Sequence, residues 1–222
     1  MDFITHLENV FLEHKNPEQA LSMEAYMKDN FKFIGIKTEL RRSLQKTVFE
    51  KYQTELINNF RQIITTLFEK ESREFHYCAI EIGMKYFKKN YQESDISTIA
   101  YLLTTHSWWD SVDVVAKYLL GGYLQHFPEK KFLVIENFSN SNTMWLNRSA
   151  IIFQLSYKDK TDFELLKSEC EKHKTSKEFF IQKAIGWALR EYSRYNPNGV
   201  LNYVAETNLK PLSKREALRN IK

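Results

Sequence analysis

Residues that break or cross-link a backbone are scarce in this chain. Its 222 residues include 6 glycines, 4 prolines and 2 cysteines. Few breakers, with many Leu, Ile, Ala, Glu and Lys, favour helix over sheet. Cys78 and Cys170 are far apart and form no CxxC pair, which argues against a disulfide scaffold and fits two free thiols in a reducing cytosol. The six histidines show no HxxxH spacing, so no metal site is expected. No stretch approaches the roughly 18 apolar residues of a membrane span. The opening MDFITHLENVFLEH has early acidic residues and no long apolar run, so neither a signal peptide nor a membrane partner is expected.

What is present suits a soluble globular protein with a sizeable core: 43% hydrophobic and 27% charged residues. Aromatics are abundant, at 14%. The net charge of +4 is uneven. Residues 1–140 carry 17 basic and 19 acidic side chains, whereas residues 141–222 carry 15 and 9. A basic half beside a near-neutral half suggests one face for a polyanion, although a solvated lysine surface gives the same count.

Helical periodicity predicts helices over 3–14, 17–30, 39–50, 53–69, 72–88, 93–104, 108–120, 125–136, 142–156, 161–172, 177–194, 197–206 and 213–220. Breaks are expected at Asn16-Pro17, Gly35, Gly121-Gly122 and Asn196-Pro197-Asn198-Gly199. No segment has sustained strand alternation, and no linker is long enough to separate domains. Successive helical hairpins of roughly 35–40 residues match the length scale of HEAT and armadillo repeats, without a repeated signature. The expected fold is all-α, an α-solenoid of HEAT-like hairpins with a concave basic groove able to hold duplex DNA.

Two helices carry the chemistry. In His106-Ser107-Trp108-Trp109-Asp110-Ser111-Val112-Asp113, Ser107 is expected to cap a helix starting at Trp108, with Asp110 completing an aspartate version of the capping box. Asp113 lies one turn further in. At 100° per residue, Trp109, Asp113, Ala116 and Leu120 fall on one stripe, distinct from the apolar stripe Trp108, Val112, Val115 and Leu119. Asp113 is then either a site carboxylate or a surface partner for Lys117. In the second helix, Ile181, Ile185, Ala188 and Tyr192 form the core stripe. Phe180, Lys183, Trp187, Arg190 and Arg194 occupy another sector. Interleaved aromatics and cations suit nucleic acid, or simply rings covered by arginine stems. Gly186 within this helix suggests close approach of another backbone. Arg148 opens the basic half and offers fork geometry for a phosphate, or a surface salt bridge.

Five segments match a known family in order along nearly the whole chain. They are Tyr26-Met27-Lys28 with Phe33-Ile34-Gly35-Ile36-Lys37 and Arg41-Arg42, the tryptophan–aspartate block, and Trp145-Leu146-Asn147-Arg148-Ser149-Ala150-Ile151. Residues 179–192, with AIGWALREY at their end, and Leu212-Ser213-Lys214-Arg215-Glu216-Ala217-Leu218 complete the set. In these the chain resembles the DNA alkylation repair glycosylases built on HEAT-like repeats, the AlkD family. The resemblance implies a single domain over residues 1–222. It implies a monomeric, monofunctional glycosylase without cofactor that removes 3-methyladenine and 7-methylguanine from duplex DNA in base excision repair. Localisation would be cytoplasmic, at the nucleoid when bound to DNA.

By position, Asp113 would be the catalytic carboxylate, with Trp109 and Trp187 flanking the lesion nucleotide. Arg148 would support the site and the DNA backbone, and Lys183, Phe180, Arg190, Arg194 and Tyr26 would contact DNA. Leu40 stands where a proline is expected, which would loosen a turn. Asn147 replaces an expected arginine, which would weaken one phosphate contact. Lys117 is offset by about 40° from the Asp113 stripe, so no Schiff-base lysine is expected. The competing readings are a non-catalytic HEAT-like binder of damaged or distorted DNA and a protein-binding helical scaffold. The Asp113–tryptophan trio argues against the first, and the cations around Arg148 and Arg190 against the second.

Overall fold

The computed structural model describes residues 2–221. Among them there is no strand, only an isolated bridge between Lys32 and Ser72. The helices form two compact units, one ending at Asn90 and one beginning at Tyr91. No helix of the described residues is long and apolar enough to cross a membrane.

The first unit comprises α1 (Phe3–Glu13), α2 (Pro17–Tyr26), α3 (Thr38–Lys51), α4 (Gln53–Phe68) and α5 (Arg73–Tyr86). Helix starts follow local chemistry. Asp2 accepts the Thr5 N–H at 2.8 Å, and Asn16 accepts that of Gln19 at 3.0 Å with Pro17 in the first turn. α2 ends before the expected residue 30 because Lys28 and Asp29 turn to φ of 55° and 58°. The buried stripe Leu56, Phe60, Ile63, Ile64 and Leu67 packs α4 on α5. Gly35 has φ 97°, and a Cβ there would lie 2.0 Å from the Asn16 carbonyl oxygen. The buried Glu74 carboxylate accepts the N–H groups of Ile34, Gly35 and Ile36 at 3.0, 2.9 and 3.1 Å, satisfying an otherwise orphaned loop. α3 starts regularly, with Arg41 N–H on the Lys37 carbonyl at 2.9 Å and Leu40 in its first turn.

The second unit comprises α6 (Asp95–Thr104), α7 (Trp109–Val114), α8 (Gly121–His126), α9 (Lys131–Ser139), α10 (Met144–Ile152), α11 (Phe163–His173), α12 (Phe179–Tyr192), α13 (Pro197–Glu206) and α14 (Pro211–Leu218). A π-helical turn, Val115–Leu120, joins α7 to α8 without interruption. The break expected at Gly121-Gly122 is therefore absent, and the chain turns at Phe127-Pro128 instead. A helix tolerates an interior glycine at about 1 kcal/mol. Here both glycines admit neighbours: a Cβ on Gly121 would lie 2.6 Å from the Phe153 carbonyl oxygen, and one on Gly122 2.5 Å from Tyr91 Oη. Short connections fold successive helices back on one another, α9 on α10 and α11 on α12, giving an all-α, HEAT-like arrangement of hairpins. Val112, Val115, Leu119, Ile151, Ile185 and Leu189 are fully buried between them.

Candidate active site

The helix bearing Asp113 begins one residue later than expected. Trp108 is extended (φ −154°, ψ 161°) and stands at the N-cap, with no side-chain cap. Ser107 does not cap. Its hydroxyl donates to the Leu103 carbonyl at 2.8 Å, because His106, at φ 47°, turns it back onto α6. Asp110 lies in the first turn of α7, where the helix dipole favours a carboxylate.

Trp108 is a packing residue. Its ring meets Phe180 edge-on at 5.4 Å and Trp145 at 5.9 Å, and Trp145 meets Phe180 at 5.0 Å. This aromatic cluster locks α7, α10 and α12 together. Trp109 therefore points to the other side. It lines a pocket of about 350 Å³ with Asp113, Arg148, Phe179, Phe180, Lys183, Trp187, Arg190, Glu216 and Arg219. That volume lies within the usual range for a small-molecule site. The π turn that follows α7 shifts register, so Ala116 and Leu120 of the same stripe are buried in the core while Trp109 and Asp113 line the pocket.

Asp113 is gripped by Arg148. Arg148 Nε lies 2.7 Å from Asp113 Oδ1 and Nη2 2.8 Å from Oδ2, a bidentate pair. Arg148 Nη1 also donates to the Phe180 carbonyl at 2.5 Å. One guanidinium thus ties α7 to α10 and to the first turn of α12. Arg148 is only 4% exposed. Of its two readings the salt bridge is the one formed, buried rather than at the surface: the donors are turned onto Asp113 and a backbone carbonyl, so Arg148 supports the site rather than standing as an open phosphate fork. The alternative partner for Asp113, Lys117, sits over the Tyr118 ring. Burial pushes the Asp113 carboxyl above the ordinary aspartate range, against the pull of Arg148 and with help from Asp110. Two charge-assisted bonds from a guanidinium are made to a carboxylate, so the ionised form is the one this geometry holds.

On α12, Phe180, Lys183, Trp187 and Arg190 line the pocket as their shared sector predicts. Arg194 does not join them. α12 ends at Tyr192, and Arg194 is exposed, 3.4 Å from Glu191. Tyr26 is exposed and belongs to the first unit, at the end of α2. Asn147 has a structural task that the sequence left unseen. Its amide donates to the carbonyls of Phe138, Ser139 and Ser141 at 2.9–3.0 Å, satisfying the end of α9.

Glu216 was missed as a site residue. It accepts from Lys183 at 2.8 Å and Arg190 at 2.5 Å, which hold its carboxyl down to about 2. Nothing in sequence spacing relates α14 to α12, and the one sequence signal there is the family-like block Leu212–Leu218. Phe179 and Arg219 were also unassigned. Among the described residues, no group of His, Cys, Asp and Glu could hold a metal ion. Cys78 and Cys170 are both buried free thiols. The pocket thus offers a tethered carboxylate, two tryptophans and more cations than anions.

This is an all-α, HEAT-like protein with a carboxylate–tryptophan site in a basic pocket. The chain belongs to the DNA alkylation repair enzyme family, whose model matches residues 7–221. It is similar to a solved structure described as a predicted DNA alkylation repair enzyme from Enterococcus faecalis. The two share 35% identity over 93% of this chain and 96% of that one, with a TM-score of 0.85. It also shares its fold with smu.31 from Streptococcus mutans, at 13% identity over 83% of this chain and 98% of that one, TM-score 0.59. Among curated proteins no relative matches.

Proposed function

We propose that this repair enzyme is a monofunctional DNA glycosylase that excises cationic alkylated purines, 3-methyladenine and 7-methylguanine, from duplex DNA. The observation that carries this reading is Asp113, a carboxylate gripped by Arg148 in an open pocket lined by Trp109 and Trp187. An N-alkylated purine is already positively charged and leaves without protonation. The C1′–N bond breaks with its electron pair going to the base, which departs neutral. Positive charge then develops on the deoxyribose, as in glycoside hydrolysis. Asp113 stabilises that charge and orients the attacking water, whose oxygen bonds to C1′ and whose proton passes to the carboxylate or solvent. The tryptophan faces favour the same cation. Arg148 is a positioning residue that holds Asp113 in one orientation.

A hydrolytic step without lyase chemistry is supported by the amines at hand. Lys183, which lines the pocket, donates to Glu216 at 2.8 Å, so its nitrogen is held in an ion pair rather than directed at a sugar carbon. Selectivity would come from the lability of the lesion, since Asp113 and Glu216 both pair with cations and neither is set up to protonate a neutral base. A base-release assay on duplex DNA containing 7-methylguanine tests the proposal. Free 7-methylguanine with an intact abasic strand is expected. No release by wild type, or trapping of a covalent enzyme–DNA adduct by borohydride, would refute it.

A further inference from the structure

α14 approaches α12 across Gly186. A Cβ on Gly186 would lie 2.4 Å from Glu216 Cβ and 2.8 Å from the Ser213 carbonyl oxygen. The Ser213 hydroxyl donates to the Gln182 carbonyl at 2.9 Å and fastens the same contact. Glu216 is thereby buried against α12, between two cations that flank Gly186 along the helix. Lys183 Nζ bonds to one carboxylate oxygen at 2.8 Å and Arg190 Nη1 to the other at 2.5 Å. Both cations line the same pocket as Asp113. Neither is exhausted by Glu216, since an ammonium has three N–H donors and a guanidinium five. Two cations and one carboxylate leave the cluster a net charge of +1, equal and opposite to one phosphodiester. Ordering two long side chains through one shared partner also lowers the entropic cost of presenting them to a ligand.

We propose that Glu216 is a specificity-setting residue: it fixes Lys183 and Arg190 as one donor pair of net charge +1 that takes a single DNA phosphate, and so limits affinity for undamaged duplex. This rests on the DNA reading above but not on the excision chemistry. Without Glu216 the same two side chains present a charge of +2 and release more counterions on any duplex. Removing the negative charge therefore strengthens binding that carries no lesion information.

The test is binding of an undamaged duplex oligonucleotide across a salt series, with melting temperatures measured in parallel. Glu216→Gln keeps the shape and the hydrogen-bonding capacity. It should raise affinity on the order of tenfold at low salt and steepen the log–log salt slope by about 0.9. In a mixture with excess undamaged duplex, more of the variant should be held on undamaged DNA than of wild type. A purely structural role would lower the melting temperature and the affinity together and leave the slope unchanged. Lys183→Met alone should flatten the slope by about 0.9, and Lys183→Met combined with Glu216→Gln should return it to the wild-type value. This double variant decides the matter even where Glu216→Gln alone is poorly folded. Folded variants with wild-type slopes, or a double variant no better than Lys183→Met, would overturn the role of Glu216. A wild-type protein that binds no duplex at any salt would overturn the DNA reading as well.

Discussion

Replacing Asp113 by Asn separates the charge of this side chain from its shape. In the proposed mechanism the carboxylate faces a sugar whose positive charge grows along the reaction. Two unit charges about 4 Å apart at an effective dielectric of about 20 interact by roughly 4 kcal/mol, which corresponds to a rate loss on the order of 10³-fold. The pairing with Arg148 places this at the upper end, because the guanidinium already offsets part of the carboxylate field. Stability should fall too. Arg148 is 4% exposed, and losing its counter-charge leaves a buried cation bonded only to an amide oxygen and the Phe180 carbonyl. Breaking a buried pair costs about 3–5 kcal/mol, reduced here because the Asp113 side chain is 15% exposed. DNA affinity should hold or rise slightly, since a negative charge leaves the pocket. Single-turnover base release, measured below the melting temperature of the variant, checks the rate. Filter or anisotropy binding checks the affinity. A folded Asp113→Asn protein within tenfold of wild type would refute the assignment of Asp113 as the cation-stabilising group.

Other consequences are equally open to measurement. Duplexes carrying uracil, hypoxanthine or ethenoadenine should be processed far more slowly than 7-methylguanine in side-by-side time courses, and equal rates would reveal a general acid outside this site. Gly186→Ala should destabilise by about 1–3 kcal/mol from overpacking against α14, less the roughly 1 kcal/mol that alanine returns to the helix, as read by thermal or urea unfolding. Glu81 of α5 accepts from Arg41, Arg42 and Gln45 of α3 at 2.7–3.1 Å, which outweighs its burial. Its carboxyl, like that of Glu216, is held down to about 2 from an unfolded value of 4.5, so both stabilise fully above pH 4.5 and lose that contribution as the pH falls toward 2. Melting temperatures of Glu216→Gln and Glu81→Gln should therefore vary less with pH between 4.5 and 2 than that of wild type. Arg194→Ala should alter the salt slope of DNA binding less than Arg190→Ala does, because Arg194 lies beyond the end of α12 and outside the pocket.

Much of the fold was legible because local rules and tertiary packing agree. Asn16-Pro17 and Asn196-Pro197 start helices by capping and a fixed φ, as their chemistry requires. The separation of Trp109 and Asp113 from the core stripe followed from helical geometry alone, as did the shared sector of Phe180, Lys183, Trp187 and Arg190. Gly186 announced a close approach but not what approached. The errors share one cause. Gly121-Gly122 looked like a break because glycine disfavours helix, yet contacts with Phe153 and Tyr91 outweigh that preference. Ser107 looked like a cap because of its position before the apolar run, yet the backbone at His106 turns its hydroxyl onto Leu103.

The sequence by itself determined the helices, their buried faces and the residue types that converge on one chemistry, because periodicity and capping act over a few residues. Only the tertiary structure decided how the charges pair. Asp113 and Arg148 are 35 residues apart, and Lys183 and Glu216 33. Whether an arginine faces a phosphate or a carboxylate depends on which helix lies opposite, and no local rule reaches that far. Of the phosphate fork and the salt bridge that Arg148 offered, the fold therefore selects the second and makes it the clamp on Asp113, while Glu216 becomes the point on which two cations meet.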